Sequence, residues 1–142
     1  MIQAARKAGM GDIAPLLRLI NDYAAKGIML PRTEFEVSEN IRDFSVIYSG
    51  ADLIACGALH FYTPIMAEVR SLAVDPKWKS HGVGRQMVNA LVAEANLFSL
   101  DAESEDSDST IILLLDDSCF DELVQVSCGG CVALAGFAGD IG

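Results

Sequence analysis

The spacing of apolar residues predicts two long helices. From residue 12 to residue 26, apolar side chains recur every three or four positions, which places them on one face of a helix. Asp12 suits the N-cap of this helix, and Gly27 suits the position just past its end. The same spacing recurs from Val83 to Ala95. We therefore expect each segment to pack one apolar face against a core.

The remaining residues up to position 74 predict a shorter helix and several strands. Thr33 and Glu36 have the spacing of a capping box, which begins a helix over about residues 34–42. Runs of β-branched and apolar residues bounded by turn residues predict strands; these are residues 2–5, 44–48, 53–62 and 67–74. The order of strand, two helices and three antiparallel strands indicates an α/β domain.

Composition supports one folded domain and argues against two kinds of partner. The 142-residue chain is 51% hydrophobic with a mean hydropathy of +0.33, which favours a buried core over disorder. Its net charge of -10 disfavours nucleic acid, because a phosphate backbone attracts basic surfaces. No apolar run approaches the roughly 20 residues that span a bilayer, and the N-terminus lacks the apolar core of a signal peptide. We expect a cytoplasmic protein without a membrane partner.

The last third of the chain differs in composition from the rest. Residues 96–142 hold ten of the 20 acidic residues and none of the ten lysines and arginines. An acidic, serine-rich run over residues 101–109 predicts a solvated loop. Apolar runs predict strands over residues 110–115 and 131–137, with a short helix over residues 119–126 between them. We expect this divergent part to belong to a single domain over residues 1–142.

The four cysteines predict no metal site. Cys128 and Cys131 form a CxxC pair, whereas a structural zinc ion needs four ligands and usually a second pair. Cys119 is the nearest third ligand, and the sequence offers no matching fourth. We therefore expect reduced thiols. A zinc-binding interaction domain is a rival interpretation that would require stoichiometric metal.

The strongest chemical signal is the glycine loop, Lys79-Ser80-His81-Gly82-Val83-Gly84-Arg85. It follows a predicted strand that Asp75-Pro76 ends, and it leads into the second long helix. The first amides of a helix lack intrahelical partners, and the helix dipole adds positive potential there. Two glycines let the backbone approach a ligand, while the lysine, histidine and arginine add positive side chains. The loop therefore predicts a diphosphate site, with an ordinary tight turn as the alternative.

These residues resemble a known family. Lys79–Gly84 is similar to the [Q/R]-x-x-G-x-[G/A] pyrophosphate loop of the GNAT acetyltransferase superfamily, with Lys in the first place. Arg70–Pro76 resembles the strand before that loop. Three further segments resemble the acetyltransferase domain of N-acetylglutamate synthases: residues 27–33, 40–44 and 56–60. The resemblance covers about residues 1–95.

The resemblance implies a fold, a co-substrate and a reaction. The fold is a mixed, mainly antiparallel sheet flanked by helices, and the co-substrate is acetyl-CoA, without a metal. The implied contacts to acetyl-CoA are the backbone at Leu72, Ala73 and Val74 and the loop residues Lys79, Ser80, His81, Gly82, Val83, Gly84 and Arg85. The implied reaction is N-acetylation of a small amino acid, glutamate first, in arginine biosynthesis. A homodimer is left open.

Acetyl transfer requires a neutral amine, a stabilised oxyanion and a proton for the leaving thiolate, so a general base helps. Glu68 is the first candidate for the base, because it precedes Arg70 by two residues on the same strand face; the alternative is an ion pair between the two. A backbone amide near Leu72 or Ala73 is the expected oxyanion donor. In many family members a late tyrosine is the general acid. This chain has no tyrosine after Tyr62, and Cys119 is the nearest substitute.

A dicarboxylic acceptor requires cationic side chains. A guanidinium matches a carboxylate with two parallel hydrogen bonds, so Arg32 is the first candidate, followed by Arg70 and Arg42. Surface salt bridging is the alternative for each. The rival function is a catalytically silent acyl-CoA-binding or regulatory module, which the missing late tyrosine and the divergent last third favour.

Overall fold

The fold is a central β-sheet with helices on both of its faces. A computed structural model describes residues 1–64, 66–98, 111–115 and 132–136. The strands are β1 (Arg6–Lys7), β2 (Phe44–Ser49), β3 (Asp52–Thr63), β4 (Met66–Val74), β5 (Ile111–Leu115) and β6 (Val132–Gly136). The helices are α1 (Ile13–Ala25), α2 (Glu34–Glu39) and α3 (Val83–Phe98), with single 3₁₀ turns at Met10–Asp12, Ile41–Asp43 and Pro76–Trp78.

The sheet is mainly antiparallel and follows the order of the chain. Strands β1 to β4 pair antiparallel, and β4, β5 and β6 pair parallel. The ladder between β4 and β5 runs from Met66 opposite Ile112 to Val69 opposite Leu115. Beyond Val69, β4 continues beside β3 to the glycine loop. This mixed sheet confirms the predicted fold class.

Two apolar layers hold the helices to the sheet. On one face, α3 packs on alternate residues of β2, β3 and β4, and on the other face α1 and α2 pack on the residues between them. Gly57 brings α3 close to β3, since a Cβ added there would lie 2.9 Å from the Cδ1 of Leu91 and 3.2 Å from the Cγ of Met87. A Cβ at position 57 would therefore force the side chains of Leu91 and Met87 to shift.

Strand β4 bends just past the point where its ladder with β5 ends. Ser71 has a φ of 53°, and the register with β3 shifts between Cys56 and Ala58. A positive φ is unusual for a residue other than glycine, and a bulge of this kind bends a strand and redirects its side chains. The bulge separates Glu68 and Arg70 from the buried end of the strand at residues 72–74.

Several predicted boundaries hold, and others need correction. Thr33 caps α2 as predicted, since its Oγ1 accepts a 3.1 Å hydrogen bond from the Glu36 amide. However, α2 ends at Glu39, because Asn40 leaves the helical region and its side-chain amide donates to the Glu36 carbonyl. The first strand lies at Arg6–Lys7 rather than at residues 2–5, where a single bridge joins Ile2 to Ser49.

The side-chain cap predicted at Asp12 is wrong, whereas both predicted late strands are confirmed. Asp12 makes no side-chain cap for α1; it accepts a 2.8 Å hydrogen bond from the Gly9 amide and so closes the preceding 3₁₀ turn. The strands predicted over residues 110–115 and 131–137 are confirmed as β5 and β6. The predicted loop over residues 101–109 and helix over residues 119–126 lie outside the described residues.

Candidate functional site

The glycine loop presents backbone amides at the start of α3. Ser80 and Gly82 have φ values of 69° and 78°, so the chain turns sharply before the helix begins at Val83. No described residue accepts a hydrogen bond from the amides of residues 82–85, and the first closed turn is the 3.0 Å bond from the Gln86 amide to the Gly82 carbonyl. A Cβ added at Gly82 would meet no atom within 4 Å. The loop is therefore open to a ligand.

The charged side chains of the glycine loop lie on its exposed surface. Lys79 and Arg85 are both exposed, and the Nζ of Lys79 lies 5.4 Å from the ring centre of Tyr23 on α1. The Nδ1 of His81 lies 2.9 Å from the Lys79 carbonyl, and its ring meets the edge of Trp78. Trp78 packs at the base of the loop against the core.

The end of β4 leads into this loop and is buried. Leu72, Ala73 and Val74 are each at most 3% exposed. The Val74 carbonyl accepts a 2.5 Å hydrogen bond from the Tyr23 hydroxyl, so one of its two lone pairs is already used by the protein. The Tyr23 bond fixes α1 against the end of the strand.

A cavity that is open to solvent lies between α2, the turn at residues 41–43 and the two central strands. Its lining combines two arginines, two acidic residues and several smaller groups: Arg32, Glu36, Val37, Asn40, Asp43, Phe44, Ala58, Arg70 and Ser71. The structure therefore brings Arg32 and Arg70 to one cavity. It does not bring Arg42 there, since that side chain is exposed on the 3₁₀ turn.

Two side chains hold Arg32 at the cavity, Asn21 of α1 and Glu36 of α2. Its amide donates to the Oδ1 of Asn21 over 3.0 Å, and its carbonyl accepts from the Nδ2 of the same side chain over 3.1 Å. The Nη1 of Arg32 lies 3.5 Å from the Oε2 of Glu36, which is a long contact for an ion pair. Asn21 is thus a positioning residue that the sequence analysis missed, because an asparagine on a helix carries no signal of its tertiary partner.

Glu68 and Arg70 meet each other and Tyr62 at the edge of the cavity. The Nε of Arg70 lies 2.9 Å from the Oε1 of Glu68. The Tyr62 hydroxyl donates to the same carboxylate oxygen over 3.1 Å and accepts from the Nη2 of Arg70 over 3.2 Å. We name Tyr62, Glu68 and Arg70 the open cluster, since Arg70 also lines the cavity.

A histidine and an aspartate extend this polar region along β3. The Nδ1 of His60 lies 2.8 Å from the Oδ2 of Asp43, and its ring meets the edge of the Tyr62 ring at 5.1 Å. The sequence analysis assigned neither His60 nor Tyr62. The alternation of side chains along β3 places both on one face, but the partners of Tyr62 depend on the pairing with β4, and that of His60 depends on where the turn at residues 41–43 lies.

No described group of three or more histidine, cysteine, aspartate and glutamate side chains is able to hold a metal ion. Burial raises the pKa of the Cys56 thiol to about 12, so this buried cysteine stays protonated. Cys119, the predicted general acid, lies outside the described residues, as do Cys128 and Cys131. Within the described part of the chain, no helix is both long enough and apolar enough to span a membrane.

Sequence comparison finds acetyltransferases. The profile of the Acetyltransferase (GNAT) family matches residues 16–109. An uncharacterized N-acetyltransferase of Chlorobaculum tepidum is 41% identical over 83 residues, which are 58% of this chain and 54% of that protein. The amino-acid acetyltransferase of Mycobacterium tuberculosis is 32% identical over 95 residues, which are 63% of this chain and 53% of that protein. The chain thus matches only about half the length of these two relatives.

Solved structures with the same fold carry coenzyme A. Rv2747 from Mycobacterium tuberculosis, in complex with CoA and NLQ, superposes with a TM-score of 0.65 at 30% identity, over 69% of this chain and 60% of that one. N-acetylglutamate synthase from Neisseria gonorrhoeae, complexed with coenzyme A and N-acetyl-glutamate, gives 0.65 at 27% identity, over 69% of this chain and 23% of that one.

Proposed function

This chain belongs to the GNAT acetyltransferase family, and on that basis we propose that it transfers the acetyl group of acetyl-CoA to the amine of a small amino acid, glutamate first. One observation carries the proposal: the glycine loop presents four amides that no described residue uses, at residues 82–85. A diphosphate is the ligand that such a helix start binds best, since its oxygens accept hydrogen bonds and its charge opposes the helix dipole.

The cavity supports an acceptor with carboxylate groups. Arg32 and Arg70 both line it, and each guanidinium is able to bind a carboxylate with two hydrogen bonds. Glutamate carries two carboxylates and one amine, so it uses both arginines and leaves the amine for reaction. The choice of glutamate draws further support from a relative named amino-acid acetyltransferase and from the neighbour solved with N-acetyl-glutamate. A role in arginine biosynthesis in the cytoplasm follows as part of the same proposal.

Glu68 is the proposed general base. It takes a proton from the acceptor's ammonium group, and the neutral amine then attacks the thioester carbonyl carbon of acetyl-CoA. A backbone amide at the bulge near Leu72 or Ala73 stabilises the oxyanion that forms. When the carbon–sulfur bond breaks, the nitrogen loses its surplus proton to solvent and the CoA thiolate takes up a proton from Cys119, the proposed donor, which solvent then reprotonates. The Glu68 side chain is 14% exposed, so its proton has a route to solvent.

Calorimetry with acetyl-CoA tests the glycine loop. We expect the wild-type chain to bind acetyl-CoA and Gly82→Glu to bind it at least about tenfold more weakly, because a carboxylate there repels the diphosphate. Gly50→Glu is the matched control. Gly50 also has a positive φ, 61°, and a Cβ added there also meets no atom within 4 Å, but it lies in the turn between β2 and β3.

The control separates loss of the ligand site from backbone strain. Both variants force a side chain into a left-handed conformation, so both lose a similar amount of stability. A loss of affinity in Gly82→Glu alone supports the proposal. Absent binding in the wild type, or equal affinity in the two variants, contradicts it.

A catalytically silent acyl-CoA-binding module is the second candidate. The observation in its favour is that Glu68 and Arg70 are paired with each other rather than free. Binding of acetyl-CoA without release of its thiol, across a panel of amino acids, would favour this module over the enzyme.

A further inference from the structure

Tyr62 is the residue of the open cluster that no sequence motif assigned. We propose that Tyr62 is a positioning residue for the acceptor: its hydroxyl fixes Arg70 so that the guanidinium presents its remaining N–H groups to the carboxylate of the incoming amino acid. This inference rests on the proposed function, because it assigns a specificity role within the same cavity.

The hydroxyl of Tyr62 both donates and accepts a hydrogen bond. It donates its single proton to the Oε1 of Glu68, at 3.1 Å, and it accepts from the Nη2 of Arg70, at 3.2 Å. A tyrosine hydroxyl has one donor and is able to accept as well, so one atom connects the proposed base to the proposed carboxylate ligand. Phenylalanine at this position would keep the ring and lose both bonds.

Without this hydroxyl, Arg70 is poorly held. Its Nε lies 2.9 Å from Glu68, but the N–H does not point at the carboxylate oxygen, and this buried Nε has no hydrogen-bond acceptor among the described residues. The contact to Glu68 is therefore an ion pair without a directional hydrogen bond. The bond from Nη2 to Tyr62 is the one that fixes the rotation of the guanidinium.

The fixed guanidinium leaves one edge for a ligand. Arg70 lines the cavity, and among the described residues its Nη1 group has no hydrogen-bond acceptor. Ala58 lies directly opposite Arg70 on β3, so a small side chain leaves room above the strand pair. A carboxylate bound in the cavity is thus able to accept from Nη1 while Glu68 and Tyr62 keep their contacts.

The Tyr62 ring is itself supported from the side. His60 lies two residues earlier on the same face of β3, and its ring meets the Tyr62 ring at 5.1 Å with an interplanar angle of 79°. His60 in turn contacts Asp43, which lines the cavity. Tyr62 remains 51% exposed, so the loss of its hydroxyl costs the fold little.

A double-mutant cycle in the full chain tests the proposal. We expect Tyr62→Phe to raise the KM for L-glutamate about tenfold and to leave the KM for acetyl-CoA unchanged, since one hydrogen bond to a charged group is lost. In an Arg70→Lys background, Tyr62→Phe should change the KM for glutamate less than about twofold, because an ammonium lacks the planar fork that the hydroxyl orients.

The matched control is Tyr48→Phe, which removes another hydroxyl that donates to a carboxylate, that of Asp12. We expect both KM values to stay unchanged in this variant. An unchanged KM for glutamate in Tyr62→Phe, or the same factor in the wild-type and Arg70→Lys backgrounds, overturns the proposal. If the wild type acetylates no amino acid, the proposed function fails and this inference fails with it; turnover with an unaffected Tyr62→Phe rejects the inference alone.

Discussion

Two clusters in this chain each contain an arginine, a tyrosine and a carboxylate, and they differ in their hydrogen bonds. The open cluster contains Tyr62, Glu68 and Arg70. The other, which we name the closed cluster, contains Arg6 of β1, Asp12 at the start of α1 and Tyr48 of β2. In each, a guanidinium lies near a tyrosine ring, at 5.2 Å in the closed cluster and 5.8 Å in the open one. They differ in how completely the carboxylate is bound.

In the closed cluster the carboxylate is saturated with donors. Arg6 donates to both oxygens of Asp12, at 2.9 and 3.0 Å, and the Gly9 amide and the Tyr48 hydroxyl donate as well, at 2.8 and 2.6 Å. These bonds, the Arg6 pair first, hold the pKa of Asp12 well below its usual range. Burial, with the bond to Asp12, raises the pKa of Tyr48 to about 12.

In the open cluster the carboxylate has fewer donors. Arg70 keeps N–H groups that have no acceptor among the described residues, and a cavity lies beside it. A single oxygen of Glu68 faces both Arg70 and Tyr62, and the buried Nε of Arg70 has no hydrogen-bond acceptor among the described residues. Residue types alone therefore do not separate the two clusters. The number of donors at the carboxylate and the presence of a cavity make the distinction.

The largest expected effect is a loss of kcat when the carboxylate of the open cluster is neutralised, with the carboxylate of the closed cluster as the control. We expect Glu68→Gln to lower kcat by about 10²- to 10⁴-fold, because a general base contributes that much. We expect Asp12→Asn to leave kcat unchanged, since Asp12 lies outside the cavity lining. Steady-state thiol release measures both. Equal kcat values for Glu68→Gln and the wild type would remove the distinction between the clusters.

A smaller effect should appear in the free energy of unfolding, where Asp12→Asn should lose more than Glu68→Gln. Asp12→Asn should lower the free energy of unfolding by about 2 kcal/mol at pH 7, since it removes a charge-assisted pair with Arg6, whereas Glu68→Gln should lower it by less than about 1 kcal/mol. Denaturant melts of the two variants measure this difference. A larger loss in Glu68→Gln than in Asp12→Asn would contradict the assignment of the closed cluster as structural.

The carboxylate of Asp12 also predicts how the free energy of unfolding depends on pH. The folded-state pKa of Asp12 is lowered, so its contribution is fully present above the unfolded value of about 3.9 and is lost as pH falls through the folded value. The difference in unfolding free energy between the wild type and Asp12→Asn should therefore be constant above about pH 5 and shrink below about pH 4. A difference that grows on acidification would show that Asp12 is not stabilised as a carboxylate.

Local signals in the sequence predicted much of this fold. The apolar spacing of α1 and α3 and the capping pair Thr33 and Glu36 each act within a few residues, and each appears in the structure. The glycine loop was also predicted from neighbouring residues, and the structure places a sharp turn there, with Gly82 at a φ of 78°.

Features that depend on distant partners were not predictable. Tyr62 reaches Glu68 only because β3 and β4 pair with one register shift near Ser71 and another between Phe61 and Thr63. A shift of one residue would move every side chain of β3 to the other face, and no local signal fixes it. Asp12 was predicted as a helix cap, but its partners Arg6 and Tyr48 come from two strands and outweigh the helix end.

We propose above all that the glycine loop and the cavity together form an acetyltransferase site. The most direct measurement is release of free thiol by the wild-type chain from acetyl-CoA, with and without L-glutamate, followed by mass spectrometry of the product. We expect saturable thiol release that depends on glutamate and yields N-acetylglutamate. Thiol release no faster than the rate without an acceptor, for glutamate and for every other amino acid tested, would contradict it.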